Sequence, residues 1–167
     1  IHEKYHSNTK TQNKVISSKN FTYRLLLEVI DKYLTQDVHT VLDIGCGAGT
    51  LCFYIASRGY KVTGIDISEK AIQKCIKSAS DLNLSKNISF QVVDFQKGTL
   101  NNKFDLIIFT EVIEHLENDE LALKKVYNLL RDNGILIIST PSKNAPLYKV
   151  GLLKKFDKEV GHLRRYS

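Results

Sequence analysis

The sequence predicts an α/β domain built on a doubly wound, mainly parallel sheet with helices on both faces. Three observations carry this. Short apolar runs alternate with segments of helical period along most of the 167 residues. A glycine-dense turn, Gly45-Cys46-Gly47-Ala48-Gly49, joins one such run to a helix-compatible stretch. Acidic or polar residues close the apolar runs, as at Asp66 and Asp94. In a parallel sheet with right-handed crossovers, strand C-termini collect along one edge, where ligands bind in open α/β folds.

Taken in order, residues 1–19 are polar without a sustained period and read as a loose arm. From Phe21 to Leu34, the residues Leu25, Leu26, Val29, Ile30, Tyr33 and Leu34 repeat at helical spacing behind Asn20, a suitable N-cap. A strand at about Thr40–Asp43 leads through the glycine turn into a helix over Thr50–Arg58, stopped by Gly59. Tyr60–Asp66 alternates as a second strand. Ser68 caps a helix whose apolar face is Ile72, Cys75, Ile76 and Ala79. Ile88–Asp94 and Phe104–Phe109 are further strands, the latter apolar enough to be central. Leu123, Val126, Tyr127 and Leu130 mark another helix, closed by Asn133-Gly134. Ile135–Thr140 is the fifth strand, stopped by Pro141.

Size and composition bound the function. One domain with a real core is expected. Its core unit is expected over 20–142, between the polar arm and a basic segment at 143–167. No apolar run approaches the roughly 18 residues that span a bilayer, and Ile1–His6 lack the apolar centre of a secretory leader, so a cytoplasmic protein is expected. Three cysteines without paired spacing argue against a disulfide framework. Cys46 reads as a small residue tolerated in the turn. The net charge of +6 is uneven. Residues 143–167 hold seven basic residues against Asp157 and Glu159, whereas 21–142 is slightly acidic. Basic flanks can attract an anionic acceptor, RNA included. Tyr148, Phe156 and Tyr166 among them form a candidate acceptor surface. The chain starts at Ile, has no methionine and stops soon after the fifth strand. A fragment lacking a C-terminal edge hairpin is expected.

Asp66 lies 21 positions after Gly45, where an acid at a strand end grips a ribose diol. The glycine pattern departs from the dinucleotide form, because Thr50 stands where a glycine or alanine is wanted. Asp43-Ile44-Gly45-Cys46-Gly47-Ala48-Gly49-Thr50 instead resembles the first motif of Rossmann-like class I S-adenosylmethionine-dependent methyltransferases. Gly64–Ser68 resembles their ribose motif, Val93-Asp94-Phe95 their adenine motif, and Phe104–Ile108 with Glu111–Leu116 their fourth-strand motif. The resemblance covers about residues 38–141. It implies that Asp43 and the glycine backbone at Gly45, Gly47 and Gly49 face the methionine part of the donor, and that Cys46 and Glu111 also contribute to donor binding. It further implies that Asp66 and Ile67 face the ribose, Asp94 the adenine amine and Phe95 the adenine ring.

Glu111-Val112-Ile113-Glu114-His115 adds a second signal. Residues at i, i+3 and i+4 share one face of a helical turn. Two carboxylates and an imidazole there can bind a divalent ion or serve the acceptor. The segment is similar to those of ubiquinone-pathway O-methyltransferases and of enzymes that methylate small-RNA 3′ ends. The resemblance implies a metal at Glu111, Glu114 and His115 that orients acceptor hydroxyls. His162 is the one candidate for the later histidine of the RNA enzymes. Glu111 and His115 are candidate general bases. The expected function is methyl transfer from S-adenosylmethionine to a small molecule, at oxygen. The alternatives are a metal-assisted RNA 2′-O-methyltransferase, an NAD-binding oxidoreductase and a non-catalytic regulator that binds the donor.

Overall fold

The computed structural model describes residues 11–149, 157–158 and 160–167. In order they form α1 (Arg24–Tyr33), β1 (Thr40–Ile44), α2 (Thr50–Ala56), β2 (Lys61–Asp66), α3 (Glu69–Asp81), β3 (Ile88–Val92), β4 (Phe104–Thr110), a 3₁₀ turn (Ile113–His115), α4 (Asp119–Leu129), β5 (Leu130–Ser139) and α5 (Pro146–Lys149). The five strands make one parallel sheet in the order β3-β2-β1-β4-β5. The order reverses between β1 and β4, and a crevice opens at such a switch point. No antiparallel hairpin lies beyond β5 among the described residues.

Strand residues alternate between two faces, and so do their partners. Val41, Leu106, Ile108 and Ile137 pack with Leu27 and Ile30 of α1 and with α2. Leu42, Ile44, Ile107 and Phe109 pack with Ala122, Val126 and Leu129 of α4. Phe53, Cys75 and Ala79 close a third cluster between α2 and α3. The sheet is therefore covered on both sides. Among the described residues no helix is long and apolar enough to cross a membrane.

Several details correct the sequence reading. The α1 face is turned: Leu25 is 70% exposed and Val29 is also exposed, while Leu27 is buried. The run Leu25-Leu26-Leu27 is apolar on every side of a helix, so period alone cannot choose the inward stripe. In α4 the buried residues are Ala122, Val126 and Leu129, with Leu123 and Tyr127 exposed. Ile76 in α3 is exposed too. Asn20 is not the N-cap: that position is Tyr23, which has no side-chain cap bond, and Asn20 Oδ1 instead accepts from the amides of Thr22 and Tyr23 in the turn ahead of α1. The arm is not loose over its described part. Gln12 donates through Nε2 to the Ala48 carbonyl at 3.1 Å and to Thr50 Oγ1 at 2.7 Å, and its own amide donates to Ser78 Oγ. Val15 and Ile16 pack on the core. Residues 1–10, Lys154, Lys155, Phe156 and Glu159, which entered the charge and surface readings, lie outside the described residues.

Candidate functional site

A cavity of about 630 Å³ opens at the C-terminal edge of the sheet. One half of its wall comes from β1, the glycine turn and the ends of β2 and β3. The other half comes from Thr110, Glu111, Val112, His115, Leu116, Ser139, Val160 and His162. Tyr23, just ahead of α1, and Leu26 of α1 also line it.

The first half is shaped by main chain. Gly45, Gly47 and Gly49 all have positive φ, and the Gly45 and Cys46 amides donate to the Ile65 carbonyl at 2.8 and 2.9 Å. A Cβ on Gly45 would stand 2.3 Å from Val112 Cγ2, so this position accepts only glycine without rearrangement. Asp66 locks the turn from β2: Oδ2 accepts from the Gly47 amide at 2.9 Å and Oδ1 from the Ser68 amide at 2.8 Å. Each carboxylate oxygen has a second lone pair to offer. Ser68 Oγ then caps α3 by accepting from the Ala71 amide.

Asp43, 2% exposed, also lines the cavity. Burial pushes its pKa up to about 7, against the pull of a hydrogen bond from the Cys52 thiol at 3.2 Å. All three cysteines are buried and unpaired, and their thiols are held above the usual range. Burial takes Cys52 to about 12. Such thiols are poor nucleophiles, in keeping with Cys46 as a small packing residue.

Most of the residues named for the donor line this cavity: Asp43, Gly45, Cys46, Gly47, Asp66, Ile67, Asp94, Phe95 and Glu111. Gly49 does not. It is the N-cap of α2, and a Cβ there would meet Cys75 and Phe53 at 3.0 Å, so it serves packing between helices. Asp94 Oδ1 accepts from the Gln96 amide. The Phe95 ring is 6% exposed and packs edge-on against Phe109. One supporting residue escaped the sequence reading. Lys125 of α4 donates to the carbonyls of Phe95 and Gly98 and lies 5.0 Å from the Phe95 ring centroid, fixing the loop after β3. No local pattern links Lys125 to a loop 30 residues away.

The second half is assembled by side chains. Glu111 adopts φ +54°, a left-handed conformation that costs a non-glycine residue about 1 kcal/mol or more. Its Oε1 accepts from Ser139 Oγ at 3.1 Å and its amide donates to the Ser139 carbonyl. Glu114, three residues on, is fully buried. Glu114 Oε2 accepts from Thr140 Oγ1 at 3.3 Å, and Oε1 has no hydrogen-bond partner among the described residues. Burial raises the Glu114 pKa. His115 Nδ1 lies 3.1 Å from the Gly161 carbonyl, so this nitrogen carries the proton. The His115 and His162 rings meet edge-on with centroids 4.9 Å apart. The ligand atoms of Glu114, His115 and His162 lie within 4.8 Å of one another. The expected metal set is therefore altered: Glu114 and His115 converge with His162, and Glu111 stands outside the cluster.

The segment 160–167 straps this half down. The Leu163 amide donates to the Glu114 carbonyl. Arg164 pairs with Asp119 at 2.7 Å and donates to the carbonyls of Leu116 and Glu117. Tyr166 Oη donates to Asp119 Oδ2. Arg165 is buried against Asp157 and lies over the Tyr148 ring. Two of the basic residues read as an attraction for anions, and two of the aromatics read as an acceptor surface, are thus spent inside the chain.

A parallel sheet whose strand order reverses beside a glycine turn, with a cavity at that switch point, defines a Rossmann-like α/β domain. The family described as methyltransferase domain matches residues 36–163, and the chain belongs to it. It is 40% identical over 114 residues to a ubiquinone biosynthesis O-methyltransferase of Glaesserella parasuis, covering 65% of this chain and 48% of that protein. A Coxiella burnetii protein of the same name is 33% identical over 123 residues, covering 73% and 52%. The chain spans about half the length of these relatives. Among solved structures, a SAM-dependent methyltransferase of Methanosarcina mazei is 27% identical with a TM-score of 0.64, covering 73% of this chain and 62% of that one. The YcgJ protein of Bacillus subtilis shares the fold at a TM-score of 0.73 and 20% identity, covering 87% and 63%.

Proposed function

We propose that this chain forms the donor-binding part of an S-adenosylmethionine-dependent methyltransferase that acts at a hydroxyl of a small molecule. The observation that carries the proposal is one cavity lined by the glycine turn, Asp43, Asp66 and Asp94 at one end and by Glu111 and His115 at the other. The names of the relatives support an oxygen acceptor. In this reading Asp66 accepts from the ribose hydroxyls and the glycine backbone lies along the donor. Asp43 accepts from the donor's ammonium, and Asp94 and Phe95 receive the adenine. When bound, the donor would supply an activated methyl group to the acceptor oxygen, with the neutral thioether S-adenosylhomocysteine as the leaving group. The hydroxyl proton passes to Nε2 of His115, whose Nδ1 already carries a proton facing Gly161. Glu111 borders the same space as the second candidate base. Positioning supplies most of the acceleration, since the sulfonium is already activated.

A second reading of the acceptor end rests on Glu114. A fully buried carboxylate oxygen without a hydrogen-bond partner is costly, and beside two imidazoles it fits a divalent cation. Glu114, His115 and His162 would hold the ion, which would supply Lewis acidity toward a hydroxyl acceptor. Transfer of labelled methyl groups to hydroxyl-bearing acceptors, with and without Mg²⁺ or Mn²⁺, tests both. Catalysis insensitive to chelator but lost in His115→Asn supports the base. Catalysis abolished by chelator and restored by the ion supports the cation. Failure to bind S-adenosylhomocysteine at all sinks the proposal.

A further inference from the structure

Beyond the atoms that could hold an ion lies a side-chain chain that aims one of them. His162 Nδ1 is 2.9 Å from Asp157 Oδ1, and its Nε2 is 3.9 Å from Glu114 Oε1. Asp157 is itself gripped from two sides. Arg165 Nε donates to Oδ2 at 2.8 Å and Nη2 to Oδ1 at 2.5 Å, a two-pronged guanidinium–carboxylate pair. Arg165 is only 7% exposed, donates through Nη1 to the Ser142 carbonyl, and is covered by the Tyr148 ring at 4.7 Å. The backbone closes the same loop, with the His162 amide donating to the Asp157 carbonyl at 2.9 Å and Gly161 at φ +80°.

We infer that Asp157, clamped by Arg165, is a positioning residue that fixes His162 with its proton on Nδ1 and turns Nε2 toward Glu114. A carboxylate facing Nδ1 settles which nitrogen of a histidine is protonated and which can donate a lone pair. In metal sites such an outer carboxylate orients the imidazole, and removing it typically costs 10–100-fold in affinity. The functional consequence rests on the cation reading of the acceptor end. The histidine geometry does not. A purely structural ion pair would hold the strap in place without governing the His162 tautomer. The strap has other anchors that Asp157 does not touch: Arg164 and Tyr166 on Asp119, and the Leu163 amide on the Glu114 carbonyl.

The test uses two readouts on the chain. Nitrogen-15 NMR of the histidines without metal reports the His162 tautomer, its signal assigned by loss in His162→Gln. Mn²⁺ titration followed by electron paramagnetic resonance reports cation affinity. In Asp157→Ala the His162 signal is expected to leave the Nδ1–H form, and Mn²⁺ affinity to fall at least about tenfold. Asp157→Glu is expected to recover most of both, and S-adenosylhomocysteine affinity to stay within about twofold. Arg165→Lys, which keeps Asp157 but removes the two-pronged grip, is expected to give an intermediate loss. It stands in with Asp157→Asn should Asp157→Ala not fold. Tautomer and Mn²⁺ affinity both unchanged across these variants overturn the inference and leave the cation reading standing. Mn²⁺ binding no tighter in the native chain than in Glu114→Ala overturns the cation reading and the affinity part of the inference. The tautomer measurement then still decides whether Asp157 sets His162.

Discussion

The two halves of the cavity are built from different materials. The half proposed for the donor is main chain held mostly by main chain: the Gly45 and Cys46 amides on the Ile65 carbonyl, and one carboxylate, Asp66, bridging two amides. The half proposed for the acceptor is held largely by side chains, some across long separations, as Arg164 grips Asp119 and His162 meets Asp157. A donor common to many reactions can be served by a fixed backbone cradle. A wall fitted to one acceptor can be changed by substitution, and ion pairs and a strap supply such a wall.

If this contrast is right, the largest effects come from backbone geometry in the donor half. Gly45→Ala places a methyl 2.3 Å from Val112 Cγ2 at a positive φ. A loss on the order of 3 kcal/mol in thermal or urea unfolding is expected, together with loss of S-adenosylhomocysteine binding. Val112→Ala in the same chain should recover part of it, whereas an unaltered Gly45→Ala protein would break the comparison. Asp66→Ala comes next. It strands the Gly47 and Ser68 amides and removes the acceptor proposed for the ribose. Calorimetry is expected to show an affinity loss of about 10–100-fold.

Protons sharpen the contrast further. The Asp43 pKa is raised to about 7, so its proton remains on in the folded chain and stabilises it below the unfolded value near 3.8. That contribution is lost as pH rises through about 7. An ammonium bound against Asp43 favours the ionised form. S-adenosylhomocysteine is then expected to bind roughly tenfold more tightly at pH 8 than at pH 6, with proton release visible as buffer-dependent heat. A flat profile would remove Asp43 from donor recognition.

Lys125→Met should loosen the loop after β3 and weaken the same ligand by about 1 kcal/mol, a severalfold change in calorimetric affinity. Arg164→Ala should be the mildest. It breaks a solvent-screened pair whose side chains are about 30% exposed, so a small drop in melting temperature and no change in donor affinity are expected. The acceptor KM should carry any effect.

The same division explains what was legible beforehand. Strand, glycine turn, helix and the acid 21 positions on are local, so spacing alone gave Gly45, Gly47 and Asp66 their places on the cavity. Alternation of strands and helices gave the parallel sheet. Spacing failed where contacts cross the chain. The turn after Glu111 is 3₁₀ with Glu111 left-handed, so Glu111 and Glu114 part company and His162 takes the place in the cluster. Lys125 and Gln12 act on loops 30 or more residues away. Helix faces failed where leucines crowd all sides of α1 and where Ala122, rather than Leu123, turns inward in α4.

The most direct test of the central claim is isothermal titration of S-adenosylhomocysteine and of NAD into the chain at pH 8. One-site saturable heat with S-adenosylhomocysteine and none with NAD is the expected result. No heat with S-adenosylhomocysteine, or equal binding of NAD, would contradict a methyl-donor cradle over the glycine turn.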